Sequence, residues 1–196
     1  MHPTISDFLE SLRSEGKSEK TIDTYRLVLG GFIKWYEDST GESFQPKDVT
    51  DLDTANYKRY LLNHAKPATI NKARITLKRY FDWLVNREII KESPMEGIRP
   101  VKQGRKAPRW LDRKEQLALL RAVKKDGKRR DIAIIQLLLH AGLRVEELCN
   151  LRLEDVELSE RKGKVIVRQG KGEKWREVPL TRDARVALKK WLEDRR

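Results

Sequence analysis

Large apolar side chains recur at three- and four-residue spacing through most of the first half of the chain, where strand-like alternation is absent. This spacing gives each helix a single apolar stripe, which must be buried against other helices. We therefore expect four helices within residues 1–93 that enclose one core. The predicted stripes are Ile5, Phe8, Leu9 and Leu12; Ile22, Tyr25, Leu29, Phe32, Ile33 and Trp35 or Tyr36; Leu52, Ala55, Tyr57, Tyr60 and Leu61; and Ile70, Ala73, Leu77, Tyr80, Phe81 and Leu84.

Short polar side chains mark the starts of these helices. We expect Ser18 to cap the second helix and Thr50 the third, because their hydroxyls accept hydrogen bonds from unpaired backbone N–H groups. Either Thr4 or Ser6 is expected to cap the first helix. Gly41 is expected to end the second, since glycine readily adopts the left-handed conformation found after helices.

The charge of the chain points to a polyanionic partner. Lys and Arg number 43 against 30 Asp and Glu, a net charge of +13. The excess lies beyond residue 93, with +1 in residues 1–93, +4 in residues 94–111 and +8 in residues 112–196. Nucleic acid is the first candidate and an acidic membrane surface the second. We expect no membrane partner, because the sequence shows neither a strongly amphipathic basic helix nor a lipidation motif.

The polar face of the fourth predicted helix is a candidate surface for duplex DNA. Basic side chains there can contact phosphates, and amide or hydroxyl groups can reach base edges. An ordinary solvated helix face would have the same composition. The candidate DNA-binding residues on this helix are Thr69, Asn71, Lys72, Arg74, Lys78 and Arg79.

A proline- and glycine-containing stretch, residues 94–111, is predicted to link the two halves. Ser93-Pro94 is expected to break the fourth helix, and Pro100, Gly104 and Pro108 to keep the stretch open. An extended basic segment can run along a phosphate backbone, although a solubilising linker would look similar. The candidate DNA contacts in the linker are Lys102, Arg105 and Lys106.

The second half combines helices with one strand pair. Asp112 is expected to cap a helix that contains Leu117, Leu119, Leu120 and Val123. A second helix, over residues 132–139, is apolar on most sides and predicted to be buried, with His140 as a core or near-site histidine and not a catalyst. It should stop at Ala141–Gly142, and a new helix should begin at Arg144.

Residues 163–168 and 174–180 have strand composition and flank Gly170-Lys171-Gly172, which predicts a β-hairpin with Lys171 at its tip. Thr181 or Asp183 is expected to cap a last helix. Its predicted stripe is Val186, Leu188, Trp191 and Leu192.

Several classes of protein are excluded or disfavoured. Cys149 is the only cysteine, so the chain has no internal disulfide and no multi-cysteine metal site. No apolar run is long enough to span a bilayer, and residues 1–10 do not resemble a secretory signal. We therefore expect a cytoplasmic protein, associated with the nucleoid if the polyanion is DNA.

Two segments together resemble the tyrosine recombinase, or phage-type integrase, family. They are Gly142-Leu143-Arg144-Val145-Glu146-Glu147-Leu148 and Gly170-Lys171-Gly172-Glu173-Lys174-Trp175-Arg176-Glu177-Val178-Pro179-Leu180. The resemblance implies a mainly α fold with two parts that clamp duplex DNA. These are an N-terminal SAM-like four-helix core-binding domain, residues 1–93, and the N-terminal part of an α+β catalytic domain with a small hairpin, residues 112–196. The basic linker would join them.

The resemblance also implies roles for individual residues. Arg144 matches the arginine that binds the scissile phosphate, and a guanidinium stabilises charge on the non-bridging oxygens in the transition state. Lys171 matches the hairpin lysine that resembles a general acid for the leaving 5′-oxygen. Glu147 matches a supporting acidic residue, and Lys174 is expected to contact phosphate or solvent. This chemistry implies no metal ion and no organic cofactor, and other recombinase protomers on the DNA as partners.

The sequence departs from the family pattern after the hairpin. The pattern needs a His-x-x-Arg box and a nucleophilic tyrosine, whereas the last tyrosine here is Tyr80 and none of the three histidines has an arginine three residues on. We therefore expect no nucleophile in this chain and no cleavage through a phosphotyrosine. Three interpretations stay open: a DNA-binding piece of a site-specific recombinase, a short inactive regulator or decoy of one, and an unrelated helical DNA-binding protein.

Overall fold

The chain divides between residues 106 and 107 into two units in the computed structural model. The structure describes residues 2–104, 107–168 and 175–195. The first unit contains four long helices: α1, Pro3–Ser14; α2, Glu19–Thr40; α3, Asp51–His64; and α4, Pro67–Asn86. The second contains helices α5, Arg113–Asp126; α6, Arg129–Ala141; α7, Val145–Cys149; and α8, Arg182–Asp194; and strands β1, Val156–Leu158; β2, Gly163–Val167; and β3, Arg176–Pro179. The predicted fold class, mainly α with a small sheet, is confirmed.

Three of the predicted helix boundaries in the first unit are confirmed. Ser18 caps α2, Thr50 caps α3 in a reciprocal capping box with Asp53, and Gly41 follows α2 with φ of 74°. The prediction for α1 is wrong, because His2 is the cap and its ring nitrogen accepts from the Thr4 N–H. Pro3 lacks an N–H and fits the first helical position, so the helix begins earlier than the hydroxyl residues suggest.

The stripes of the first unit meet in one aromatic core. Phe32 is fully buried at the centre, and its ring lies 5.0 Å from that of Tyr57 and 6.1 Å from that of Phe81. Two residues of the predicted third stripe are instead exposed, Leu52 at 64% and Tyr60 at 41%. Only the side of α3 that carries Tyr57 faces the core.

The predicted linker is not open at its start. Helix α4 ends at Asn86, before Ser93, and Met95 and Ile98 are buried in the aromatic core. Segment 94–101 is held by side chains of α3 and α4 that bond to its backbone. These bonds join Thr54 to the Pro94 carbonyl, Lys58 to the Arg99 carbonyl, Arg74 to the Ile98 carbonyl, and Asn71 to both the N–H and the carbonyl of Val101.

The sheet of the second unit has the order β1-β2-β3 and is antiparallel throughout. The predicted hairpin is β2 and β3, in which Val167 pairs with Arg176 and Val165 with Val178. Strand β1 was not predicted, because three residues are too few to show alternation. Gly170, Lys171 and Lys174 lie outside the described residues.

The second unit has a smaller apolar core than the first, with fewer buried residues. The buried apolar residues that form it are Ala133, Leu137, Leu143, Val165, Val167, Leu180, Ala184, Ala187 and Leu188. Asp112 and Thr181 cap α5 and α8 as predicted. The expectation of a fully buried α6 is wrong, since Ile132 and Leu139 are half-buried and His140 is exposed.

Helices α5 and α8 of the second unit are also only partly buried. Helix α5 buries none of its own residues. On α8, Val186 is exposed, contrary to the predicted stripe, and the small residues Ala184 and Ala187 pack inward with Leu188. Within the part of the chain described, no helix combines the length and apolarity that crossing a bilayer requires.

Candidate functional site

Arg144 lies at the start of α7, directly after the turn that ends α6. Gly142 adopts a left-handed conformation with φ of 60°, which terminates α6. Leu143 is buried in the core of the second unit and fixes the next residue at the surface. Arg144 takes the extended N-cap conformation, and its side chain is 62% exposed. The local sequence thus places a guanidinium on a short, anchored turn.

The Glu147 carboxylate, with its side chain only 3% exposed, lies directly below Arg144. Its Oε2 accepts the Arg144 backbone N–H at 2.9 Å, and its Oε1 accepts from Arg144 Nη1 at 2.6 Å. Arg176 of β3 donates to the same carboxylate through Nη1 at 3.0 Å and Nη2 at 2.7 Å. One buried carboxylate therefore joins the helix start to the hairpin.

The cluster of Arg144, Arg176 and Glu147 has a net positive charge. The two hydrogen bonds from Arg176, followed by the Arg144 backbone N–H, lower the pKa of Glu147 to about 2, so that it is ionised at neutral pH. Two guanidiniums surround one carboxylate, and one positive charge is in excess. Arg144 gives Nη1 to Glu147 and, being largely exposed, directs other N–H donors to solvent. This geometry suits bidentate recognition of a phosphate.

A second buried carboxylate repeats the arrangement in the same unit. Asp155 accepts the Arg152 backbone N–H at 3.0 Å and a short hydrogen bond from Arg168 Nε, and both interactions lower its pKa. Arg168 follows β2 and Arg176 opens β3, so the two arginines flank residues 169–174 in the sequence. A cavity of about 220 Å³ lies between the clusters and is lined by Glu147, Asn150, Leu151, Arg152, Asp155, Ile166, Val167 and Arg168.

Sequence reasoning identified Arg144 and Glu147, and the structure brings them together. It missed Arg176, Arg168 and Asp155. A signal for Asp155 was available, because an arginine followed three residues later by a carboxylate occurs at both 144–147 and 152–155. No such signal existed for the two hairpin arginines, whose partners are distant in sequence.

Lys171 and Lys174, the two hairpin lysines predicted to act at the site, are among the residues that the structure does not describe. Their roles stay predictions. Arg105 and Lys106 of the linker are outside the described residues as well. Lys102 is described and exposed.

Most of the candidate residues on α4 have a partner within the first unit. Asn71 and Arg74 bond to the backbone of segment 94–101, as described above. Lys78 pairs with Asp82 along the helix at 2.9 Å. Arg79 pairs with Glu15 and lies over the ring of Tyr25.

The remaining two candidates on α4, Thr69 and Lys72, are exposed near its start. For most of this face the structure therefore shows a local partner, and DNA binding by these residues stays a prediction.

Comparison with known protein families shows similarity along most of the chain. A model described as the phage integrase family matches residues 109–196, and a model of the phage integrase N-terminal SAM-like domain matches residues 5–91. The tyrosine recombinase XerC of Xanthomonas axonopodis pv. citri (strain 306) is 31% identical over 203 residues, which cover 97% of this chain and 65% of that protein. The XerC of Pseudomonas aeruginosa (strain LESB58) is 34% identical over 199 residues, with 98% and 63% covered.

Solved structures with a similar fold include two recombinase complexes. One is the XerH site-specific recombinase bound to palindromic difH substrate, in a post-cleavage complex. Its TM-score is 0.71 at 24% identity, over 89% of this chain and 53% of that one. The other is a lambda integrase tetramer bound to a Holliday junction, with a TM-score of 0.72 at 20% identity, over 98% and 55%. The chain spans 58% to 65% of the length of the XerC proteins that it matches.

Proposed function

The chain belongs to the phage integrase family of tyrosine recombinases, and on that basis we propose that it binds duplex DNA as part of site-specific recombination. In this proposal residues 1–93 are the core-binding domain and residues 94–111 the interdomain linker. Residues 112–196 contribute to the catalytic domain.

The observation that carries the proposal is the Arg144 cluster. A buried carboxylate holds Arg144 at the surface with one positive charge in excess, and a largely exposed guanidinium is the group that best matches two phosphate oxygens. An arginine that only stabilised the fold would be expected to direct its donors into the protein.

In the proposed reaction, Arg144 binds the phosphate at which strands are exchanged. Charge collects on the non-bridging oxygens in the transition state, and donors fixed in advance stabilise it without reorganisation. Removing one such donor typically lowers the rate by about 10²–10³-fold. Glu147 would orient Arg144, and Lys171 would protonate the leaving 5′-oxygen.

The basic side chains elsewhere would contribute contacts along the DNA backbone. Lys72 and Lys102 are exposed, and the net charge of +8 in residues 112–196 favours a polyanion. The similar XerH and lambda integrase structures are of a substrate complex and a tetramer on a Holliday junction. Further recombinase protomers on the same DNA are the partners we propose, at the nucleoid in the cytoplasm.

Residues 1–196 supply no nucleophile for strand cleavage in this proposal. Their five tyrosines all lie between Tyr25 and Tyr80, and Tyr36, Tyr57 and Tyr80 are buried in the aromatic core. The 196 residues should therefore bind DNA without a covalent protein–DNA bond. Strand cleavage in this family requires a nucleophilic tyrosine in the catalytic domain, and residues 107–196 contain no tyrosine.

The test is the affinity for a 30-base-pair duplex measured between 50 and 200 mM salt. The logarithm of the binding constant falls linearly with the logarithm of the salt concentration, and each phosphate contact that is lost reduces the magnitude of that slope by about 0.9. We expect Arg144→Ala to weaken binding about tenfold, as for loss of a hydrogen bond to a charged group, with a slope reduced by about one contact. Arg182→Ala, at the exposed start of α8, is the matched control.

Equal and small effects of the two substitutions would contradict the proposal. A protein–DNA adduct that survives denaturing electrophoresis with a nicked duplex would contradict the absence of a nucleophile.

A further inference from the structure

The proposed function gives Arg176 no role, yet its guanidinium alone makes two hydrogen bonds to the Glu147 carboxylate, as many as the backbone and side chain of Arg144 make together. Both of its terminal nitrogens bond to Glu147, one to each carboxylate oxygen. It stands at the first position of β3, 29 residues from Glu147 in sequence. Its side chain is only 37% exposed. The bidentate geometry, which fixes both the distance and the plane of the pair, indicates a defined position.

The charge of the cluster shows what Arg176 does for Arg144. A buried carboxylate without a partner is strongly unfavourable, so Glu147 must be neutralised by an arginine. With Arg176 present, Glu147 is compensated from the hairpin side, and Arg144 gives it only Nη1 and the backbone N–H. Without Arg176, the guanidinium of Arg144 would be the cation that remains, among the described residues, to compensate Glu147.

We infer that Arg176 is a positioning residue, which acts through Glu147 to keep the charge and the outward donors of Arg144 available for a DNA phosphate. The inference rests on the proposed function, because it concerns the phosphate contact of Arg144. It adds a specific dependence: the contact requires the hairpin strand β3 as well as the turn that carries Arg144.

Arg168 offers a matched control in the same hairpin. It too is an arginine that bonds to a buried carboxylate reached from a helical turn. That carboxylate, Asp155, bonds to the backbone N–H of Arg152 and has no bond to Arg144 among the described residues. Removing Arg168 should disturb the hairpin to a similar degree and leave the charge next to Arg144 unchanged.

The experiment is a pair of double-mutant cycles on the full chain, read as duplex affinity and salt slope. We expect Arg176→Ala to weaken binding by about threefold to tenfold. The upper limit is the effect expected for Arg144→Ala, because Arg176 acts only through the Arg144 contact. In the Arg144→Ala background the same substitution should change the affinity by less than about twofold, because the contact it supports is already gone. Arg168→Ala should change affinity by the same factor in both backgrounds.

A second variant separates positioning from a general effect on the fold. Glu147→Gln combined with Arg176→Ala removes one negative and one positive charge, so that Arg144 has no carboxylate to compensate. We expect this pair to bind DNA more tightly than Arg176→Ala alone. If Arg176→Ala does not give a folded circular dichroism spectrum, Arg176→Gln replaces it in both measurements.

Each outcome has one meaning. If Arg144→Ala has no effect on binding, the proposed function fails. If Arg144→Ala weakens binding but the Arg176 and Arg144 effects multiply, the function stands and the inference is overturned. Failure of Glu147→Gln to restore binding also overturns it, because the charge argument requires that recovery.

Discussion

The two units bury different kinds of side chain. The first buries seven aromatic rings in one cluster, from Phe8 on α1 to Phe81 on α4. The buried apolar residues described in the second unit include three alanines and no aromatic side chain. Its buried polar groups, however, include the ionised carboxylates of Glu147 and Asp155, whereas those of the first unit are the hydroxyls of Thr54 and Thr76.

This contrast relates the packing of each unit to its proposed role. Apolar burial is non-directional, and in the first unit it includes Met95 and Ile98, which follow α4 in the sequence. A buried, ionised carboxylate with its arginine partners adds little to stability beyond what apolar side chains of the same volume would give, yet it fixes the arginines that surround it, and breaking the pair is costly. The second unit has the smaller apolar core, and it holds Arg144 and Arg176 in defined positions.

The largest expected effect concerns the aromatic core. Phe32→Ala removes a fully buried ring at the centre of the first unit and should lower its free energy of unfolding by about 3–5 kcal/mol. Leu188→Ala in the second unit should cost about 2 kcal/mol, the low end for a buried leucine, since half-buried neighbours can relax around it.

Urea unfolding combined with hydrogen exchange would report on each unit separately. Equal losses of stability would show that the second core is packed as tightly as the first.

The second prediction is that the two units respond to pH in opposite directions. The pKa of Glu147 is lowered from 4.5 to about 2 by Arg176 and Arg144, so its contribution is complete above about pH 4.5 and is lost as the pH falls towards 2. Burial raises the pKa values of Tyr57 and Tyr80 from 10.0 to about 12, so the first unit loses stability as the pH rises from 10 to 12.

Acid should therefore unfold the second unit before the first, and alkali the reverse. Thermal unfolding at pH 3, 7 and 11 would measure this, with Glu147→Gln as a variant whose second unit is less sensitive to acid. Loss of both units at the same pH in acid and in alkali would contradict the assignment.

The smallest expected effect tests the exposed helix of the second unit. Leu117 on α5 is 49% exposed, whereas Leu77 on α4 is 2% exposed. Leu117→Ala should change the free energy of unfolding by about 0.5 kcal/mol or less, and Leu77→Ala should cost about 2–5 kcal/mol. A large loss for Leu117→Ala in the same urea experiment would show that α5 is covered in solution.

Much of the first unit could be predicted from the sequence, because its helices each bury one stripe and the stripes are visible as spacing. The errors occurred where a neighbour in space competes with the local pattern. Leu52 and Tyr60 have the right spacing on α3, but only one side of that helix meets the core. Asn71 and Arg74 have the composition of a DNA-binding face, but segment 94–101 returns to α4 and bonds to them.

In the candidate site, the sequence itself determined the parts that are local. Glycine at 142 ends a helix, leucine at 143 is drawn into the core, and Glu147 lies three residues after Arg144, where a carboxylate can accept the backbone N–H at a helix start. Only the tertiary structure decided that Arg176 compensates Glu147. That contact depends on the register of β2 and β3 and on the packing of the sheet beside α7, and spacing along a chain carries information only about residues that share the same helix or strand.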